Sequence, residues 1–388
     1  MKIAHIVPSM EVNRGGPTRS IASMIKAQTD LGADVRLIFG ERCRDVTPVL
    51  ESVNYWAASL IKAPFAIPSW GLVRLITTNI AWADVVHLHS VWNGVISLAE
   101  FHGRRQHKRI VLSPRGMLDE RNVQRRRGLK AVWLRFVERN NLAAIGGLHF
   151  QDESELRGCK WLAVIQDKPF IIQPNGFEMP SALLGINDND PKRGDTPISL
   201  TFKAGEEINL VFLGRLNVIK GLELQVQLIA DLIDAGIPSR LHLVGPDDGV
   251  EAQLRALAAN LGVAEFINFV GPIYGENRFA WLQQADAVLL TSHYECNSNT
   301  AMEALGVGAV LVATDSCHLD RPASAGAVCV VARDRTALLS AVLELVKTPD
   351  RAVALRKRAA DYARQNLDWT VHASDMLKFY EQLLAQPL

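Results

Sequence analysis

The sequence predicts an α/β protein of two Rossmann-like, doubly wound domains in tandem, and three observations predict it. At 388 residues the chain is too long for one ordinary core and suits two domains of about 150–200 residues each. Short apolar runs of strand type alternate with helical stretches, the pattern of a parallel sheet covered on both faces. The alternation lapses over a polar, irregular stretch at 187–207, which contains NDNDPKRGDTPIS, and then restarts.

Taken in order, the strand candidates of the first half are Ile3–Val7, Val35–Phe39, Val85–His89, Ile110–Ser113 and Leu148–Phe150. Helical segments near 17–31, 93–107 and 127–143 separate several of them. In the second half the strands are Asn209–Leu213, Leu241–Val244, Ile267–Val270, Ala287–Thr291, Val310–Ala313 and Val328–Val331. Helices are expected at 222–235, 250–261, 276–285 and 300–306, and the last sixty or so residues read as helical. The expected boundaries are 1–186 for the first domain, 187–207 for the linker, 208–368 for the second domain and 369–388 for a terminal helix. Ligands of such sheets bind beyond the carboxyl ends of the strands, so a cleft between the domains is expected.

Composition narrows the function. A formal net charge of +1 argues against a dedicated nucleic-acid binder. No apolar run approaches the roughly 20 residues needed to cross a bilayer. The start, KIAHIVPS, reads as a first strand rather than a leader. Cysteines 43, 159, 296, 317 and 329 show no CxxC pairing and no ligand spacing with histidine, which suits reduced thiols in a cytoplasmic protein.

The stretch with most chemistry is 285–306, ADAVLLTSHYECNSNTAMEALG. A strand leads into a polar loop holding Glu295, and a helix then carries Glu303. A strand–loop–helix of this kind aims backbone N–H groups and the positive end of the helix dipole at an anion above the strand ends. Two carboxylates beside an anion site suit hydroxyls on either side of it, as a sugar and a ribose flanking a diphosphate would supply. Thr300-Ala301-Met302-Glu303 also matches a capping box, which gives Glu303 a structural alternative.

Two other loops sit at strand ends. NLVFLGRLNVIKG places Gly214, Arg215 and Lys220 after the first strand of the second domain, a fork and a point charge suited to phosphate oxygens. Two exposed loop cations are the bland alternative. Gly15 and Gly16 precede the first helix and let backbone approach a phosphate; the loop is not GxGxxG, so a dinucleotide reading loses its main support. His87 and His89 share one face of a strand end, too few for a metal without a third ligand, and His89 is the one assigned to a cleft wall. Arg115, in LSPRGMLDE, follows the next strand. His242 and His318 stand alone and read as structural, and Asp188-Asn189-Asp190 lies in the polar linker, away from any strand end.

Between Gly103 and Arg139 there are twelve Lys/Arg against three Asp/Glu, with Leu129, Val132, Trp133, Phe136 and Val137 at helical spacing. Such a segment either lies on an anionic membrane surface, peripheral on the cytoplasmic face, or is a solvated face over a core stripe.

GRLNVIKG, LHLVGPDDG, FVGPIYGENRFAWLQQADAVLLTSHYE and MEALG together resemble the retaining GT-B glycosyltransferases of family GT4. The resemblance extends to Gly15-Gly16, SPRGMLDE, QPNG and the terminal LDWTVHASDMLKFYEQLL, nearly the whole chain. It implies a GT-B fold whose terminal helix returns to the first domain. It implies a sugar transferred from a nucleotide donor, UDP- or GDP-linked, to a glycan or lipid-linked glycan of cell-surface polysaccharide, with no metal or other cofactor. On matched positions, Arg215 and Lys220 would hold the diphosphate and Glu303 the ribose, while Glu295 would face the donor sugar. Gly16 and Gly214, with the loop and helix-start residues Asn297, Ser298, Asn299 and Thr300, complete the donor set. His89 and Arg115 are the acceptor-side candidates. The chain departs from the family's Glu-x-Phe-Gly with Glu295-Cys296-Asn297-Ser298. An epimerase of the same fold would need acid and base residues on the sugar ring that the sequence does not supply. The altered loop alone supports a non-catalytic homologue acting through a binding partner.

Overall fold

The computed structural model describes the chain except residues 11–15, 42–52, 62–65, 125–126, 179–201, 203–205, 274 and 388. It has two compact units, Met1–Gly176 with Trp369–Leu388, and Phe177–Asp368. The division falls earlier than the expected limit at 186, and most of the expected linker lies outside the described residues.

Unit 1 runs β1 (Lys2–Val7), α1 (Gly16–Asp30), β2 (Asp34–Glu41), β3 (Tyr55–Ile61), β4 (Ile67–Pro68), α2 (Trp70–Trp82), β5 (Val85–His89) and α3 (Gly94–Arg105). It continues with β6 (Arg109–Ser113), α4 (Glu120–Gln124), α5 (Arg127–Trp133), α6 (Arg139–Ala143), β7 (Gly147–Phe150), α7 (Glu153–Gly158) and β8 (Phe170–Ile172). The strand order is β4-β3-β2-β1-β5-β6-β7-β8, parallel except for the β3–β4 edge pair. Elements β3, β4, α2 and β8 were not expected from the alternation. The Thr and Ile residues of α2 lower its helix propensity, but Ser69 caps it by accepting from the Leu72 N–H at 3.3 Å.

Unit 2 runs β9 (Ile208–Leu213), α8 (Glu223–Asp234), β10 (Ser239–Val244), α9 (Glu251–Asn260), β11 (Ile267–Gly271) and α10 (Asn277–Gln284). After these come β12 (Ala287–Leu290), α11 (Asn299–Gly306), β13 (Leu311–Thr314), α12 (Asp320–Ser324), β14 (Cys329–Val331), α13 (Arg335–Lys347) and α14 (Pro349–Asn366). Its sheet is wholly parallel, ordered β11-β10-β9-β12-β13-β14. The chain leaves β9 toward β10 on one side and comes back beside it as β12, so the order reverses there. That switch point is where the loops after β9 and β12 open a crevice.

The terminal helix α15 (Trp369–Ala385) belongs to unit 1. Its Met376, Phe379, Tyr380 and Leu383 are buried in one cluster with Ile21, Ala22 and Ile25 of α1. Among the described residues, no helix is long and apolar enough to cross a membrane.

Candidate functional site

The loops at the unit 2 switch point are fastened to each other. Thr291, just past β12, donates its hydroxyl to the carbonyls of Lys220 and Gly221, at 3.2 and 3.0 Å. The Gln225 amide donates to the same hydroxyl at 2.9 Å, and His293 N–H donates to the Ile219 carbonyl at 2.8 Å. Gly221 is left-handed at φ 59°, and a Cβ there would lie 2.3 Å from the Thr291 carbonyl oxygen. Only glycine allows this approach. The result aims Lys220 at Glu295, and their side chains form an ion pair, 21% and 12% exposed. Ser292 donates to the same carboxylate at 2.7 Å.

The loop after β13 backs Glu295. Its N–H donates to the Ser316 carbonyl at 3.2 Å, and its own carbonyl accepts from His318 Nδ1 at 2.8 Å. His318 therefore does not stand alone; it is a left-handed residue that props the glutamate loop. Arg215 pairs with Asp248 at 3.2 Å, both about half exposed, so solvent screens the pair and an incoming phosphate can compete for the guanidinium. The backbones after β9 and β10 nearly touch. A Cβ at Gly245 would sit 1.8 Å from the Gly214 carbonyl oxygen.

Helix α11 points its N-terminus into the same crevice. Its cap is Ser298, which accepts from the Ala301 N–H at 3.3 Å. Thr300 instead donates to the Leu213 carbonyl at 2.8 Å. The capping-box alternative for Glu303 thus fails: the helix begins two residues earlier, and Glu303 is paired with Arg278 at 3.1 Å, their side chains 12% and 15% exposed. Cys296 and Asn297, between Glu295 and the cap, and Asn299, the first helical residue, are half-buried.

In unit 1, Gly16 opens α1, while Gly15 lies outside the described residues. Arg115 is left-handed at φ 52° beyond β6. Its guanidinium reaches Ser20 Oγ of α1 at 3.3 Å and His89 Nδ1 at 3.5 Å. His89 itself is fully buried, so the cleft-wall reading is corrected. Both faces of β5 are covered, and the side chain turns to Arg115 and His5 rather than to solvent.

Sequence reasoning also missed His5. Its Nδ1 lies 2.9 Å from His89 Nε2, and its Nε2 lies 2.8 Å from Gln28 Oε1. Gln28 reaches the Tyr380 hydroxyl at 3.5 Å, which meets His87 Nδ1 at 2.5 Å. His87 Nε2 contacts Ser113 Oγ at 2.6 Å, and Ser113 contacts His149 Nδ1 at 2.8 Å. His149 Nε2 ends the chain on the Gln173 carbonyl at 3.1 Å.

The two ends set its direction. Arg115 can only donate and the Gln173 carbonyl can only accept. Every imidazole between them is then neutral, with the proton on Nε2 and an accepting Nδ1. Burial lowers all four pKa values: His5 to about 4, His149 to about 3, His87 and His89 well below the usual 6.5.

His5 supplies the third nitrogen lacking in the sequence argument against a metal, within 4.8 Å of those of His87 and His89. The geometry still fits a cation poorly. The His5 and His87 rings stack on His89 at 15° and 22°, so their lone pairs do not converge. The Arg115 charge lies alongside.

The family model for glycosyl transferases group 1 matches residues 207–348, the heart of unit 2. The D-inositol 3-phosphate glycosyltransferase of Corynebacterium urealyticum is 28% identical over 184 residues, 45% of this chain and 43% of that protein. The one from Actinosynnema mirum is 30% identical over 200 residues, 49% and 48%. The chain spans less than half the length of these relatives.

Among solved structures, Anabaena Alr3699/HepE in complex with UDP has a TM-score of 0.73 at 14% identity, covering 98% of this chain and 100% of that one. Sucrose-phosphate synthase from Thermosynechococcus elongatus has a TM-score of 0.68 at 18% identity, covering 99% of both. These likenesses establish the GT-B fold. The match over 207–348 makes that segment, which holds Arg215, Lys220, Glu295 and Glu303, similar to the group 1 glycosyltransferases.

Proposed function

We propose that the chain moves a sugar from a UDP- or GDP-sugar to a glycan or lipid-linked glycan, with retention of configuration and without a metal. The observation that carries this is the Lys220–Glu295 pair, set beside Arg215 at the N-terminus of α11. As the donor bond breaks, negative charge grows on the leaving diphosphate. Arg215, Lys220 and the N–H groups of α11 are fixed cationic partners for it. Positive charge grows at the anomeric carbon, and the Glu295 carboxylate, held by Lys220 and Ser292, suits that charge. Glu303 takes the ribose, and Arg115 is the acceptor-side group. UDP is the first base to test, since the Anabaena relative was crystallised with it.

The test is calorimetric titration with UDP, GDP and ADP in EDTA, beside the Arg215→Ala/Lys220→Ala double variant. One nucleotide is expected to bind, and the double variant to weaken it about a hundredfold, two charge-assisted contacts at about 1.5–3 kcal/mol each, less their present pairings. No binding by folded protein would refute the reading.

A membrane contact through 103–139 is part of the proposal. In this segment Val132 and Phe136 are 58% and 74% exposed, and Phe136 carries Arg135 over its ring. Phe136→Asp is expected to weaken sedimentation with anionic vesicles about tenfold without changing thermal stability, since an inserted aromatic contributes about 1.5–3 kcal/mol. Wild-type protein that ignores anionic vesicles would remove this part.

A further inference from the structure

We infer that Arg278 is the positioning residue that lets this chain distinguish a ribonucleotide from a 2′-deoxyribonucleotide. The inference rests on the proposed assignment of Glu303 to the ribose and adds a residue to which the sequence motifs gave no role.

Arg278 lies in the first turn of α10, and Glu303 lies in α11; the two helices pack together within unit 2. The guanidinium is held on three sides. One nitrogen meets the Glu303 carboxylate at 3.1 Å, another donates to the Gly275 carbonyl, and the plane lies 4.1 Å from the centroid of the Phe279 ring. Phe279 in turn meets Phe177 edge to face, with ring centroids 5.9 Å apart. Such a cation is not a loose surface charge, because its fork is fixed before any ligand arrives.

The consequence falls on Glu303. A carboxylate has two oxygens and about four lone-pair positions. Arg278 occupies Oε1 and so fixes the rotation of the whole group. A carboxylate held in one rotamer makes a directed acceptor for adjacent hydroxyls, and a swinging one does not. The pair also balances charge in a nearly buried place, where removing one partner leaves the other uncompensated. Vicinal ribose hydroxyls can both reach one fixed carboxylate, whereas a deoxyribose offers one. A hydrogen bond to a charged group contributes about 1.5–3 kcal/mol, which converts to about tenfold or more in affinity.

The experiment titrates wild-type protein, Arg278→Ala and Arg278→Gln with UDP, GDP and ADP and with the 2′-deoxy form of whichever binds. Wild type is expected to prefer the ribonucleotide at least tenfold. Both variants are expected to bring that ratio to about threefold or less. Loss of general structure would weaken both ligands alike and leave the ratio intact. Arg278→Gln keeps length and an amide donor, and serves as the reading if the alanine form does not fold. A wild-type ratio in a folded variant overturns the inference and leaves the transferase reading standing. Folded wild type that binds none of the three nucleotides overturns both.

Discussion

Glu295→Gln is expected to lower kcat by about a hundredfold to a thousandfold while nucleoside diphosphate affinity stays the same or tightens. The split follows from what the carboxylate touches. Its partners are Lys220 and Ser292, both of which can still meet a glutamine of the same shape. What disappears is one negative charge. On the proposed reading that charge competes with the donor phosphates for Lys220 in the resting site, so its removal is not expected to harm diphosphate binding. In the proposed transition state the same charge would face a carbon turning cationic, and losing a preorganised electrostatic partner typically costs about 10²–10³ in rate. The measurement is release of nucleoside diphosphate from the sugar donor, with calorimetry of the diphosphate alone. A variant that turns over at the wild-type rate, or that loses binding and rate in equal measure, would contradict the assigned role. Lys220→Met is the complementary case and should lose both, because the proposed role of Lys220 serves ground state and transition state alike.

Much of unit 2 was legible because its strands are short apolar runs between amphipathic helices, and the two periods do not overlap. Arg215, Lys220 and Glu295 are legible as candidates because they lie in the loops after β9 and β12, and the family resemblance is what gave them roles. Arg278 does not. It begins an ordinary amphipathic helix, where a cation reads as a solvated face, and only packing of α10 on α11 brings it to Glu303. His5 was hidden for a different reason. It occupies one position in an otherwise apolar strand, and its partners His89 and Gln28 lie on β5 and α1, 84 and 23 residues along the chain. The same buried network explains why His89, sound in its placement at a strand end, faces inward. Pairing of side chains over long sequence separations is a property of the fold, and periodicity carries no trace of it.

That network makes unit 1 sensitive to acid. Each of its four imidazoles must be neutral, because each Nδ1 accepts a hydrogen bond while Nε2 donates one. In the unfolded chain a histidine takes a proton near pH 6.5; in the fold His5 does so at about 4 and His149 at about 3. The folded pKa values are depressed, so the unfolded state binds more protons in between. Stability is therefore fully present above about pH 6.5 and is lost as pH falls toward 4. For His5 alone the loss by pH 4 is about 3 kcal/mol, a large fraction of the 5–15 kcal/mol typical of a domain. Trp56, Trp70, Trp82, Trp92, Trp133, Trp161 and Trp369 belong to unit 1 and Trp281 to unit 2, so tryptophan fluorescence reports mainly on unit 1. Urea midpoints followed by fluorescence should fall steeply from pH 7 to pH 4.5. Tyr380→Phe should lower them further at every pH, a loss of stability of about 1–3 kcal/mol, because it strips the accepting His87 Nδ1 of its donor. Midpoints that stay flat across this range would mean that the imidazoles accept protons in the fold as readily as in water, and the directed chain from Arg115 to Gln173 would have to be abandoned.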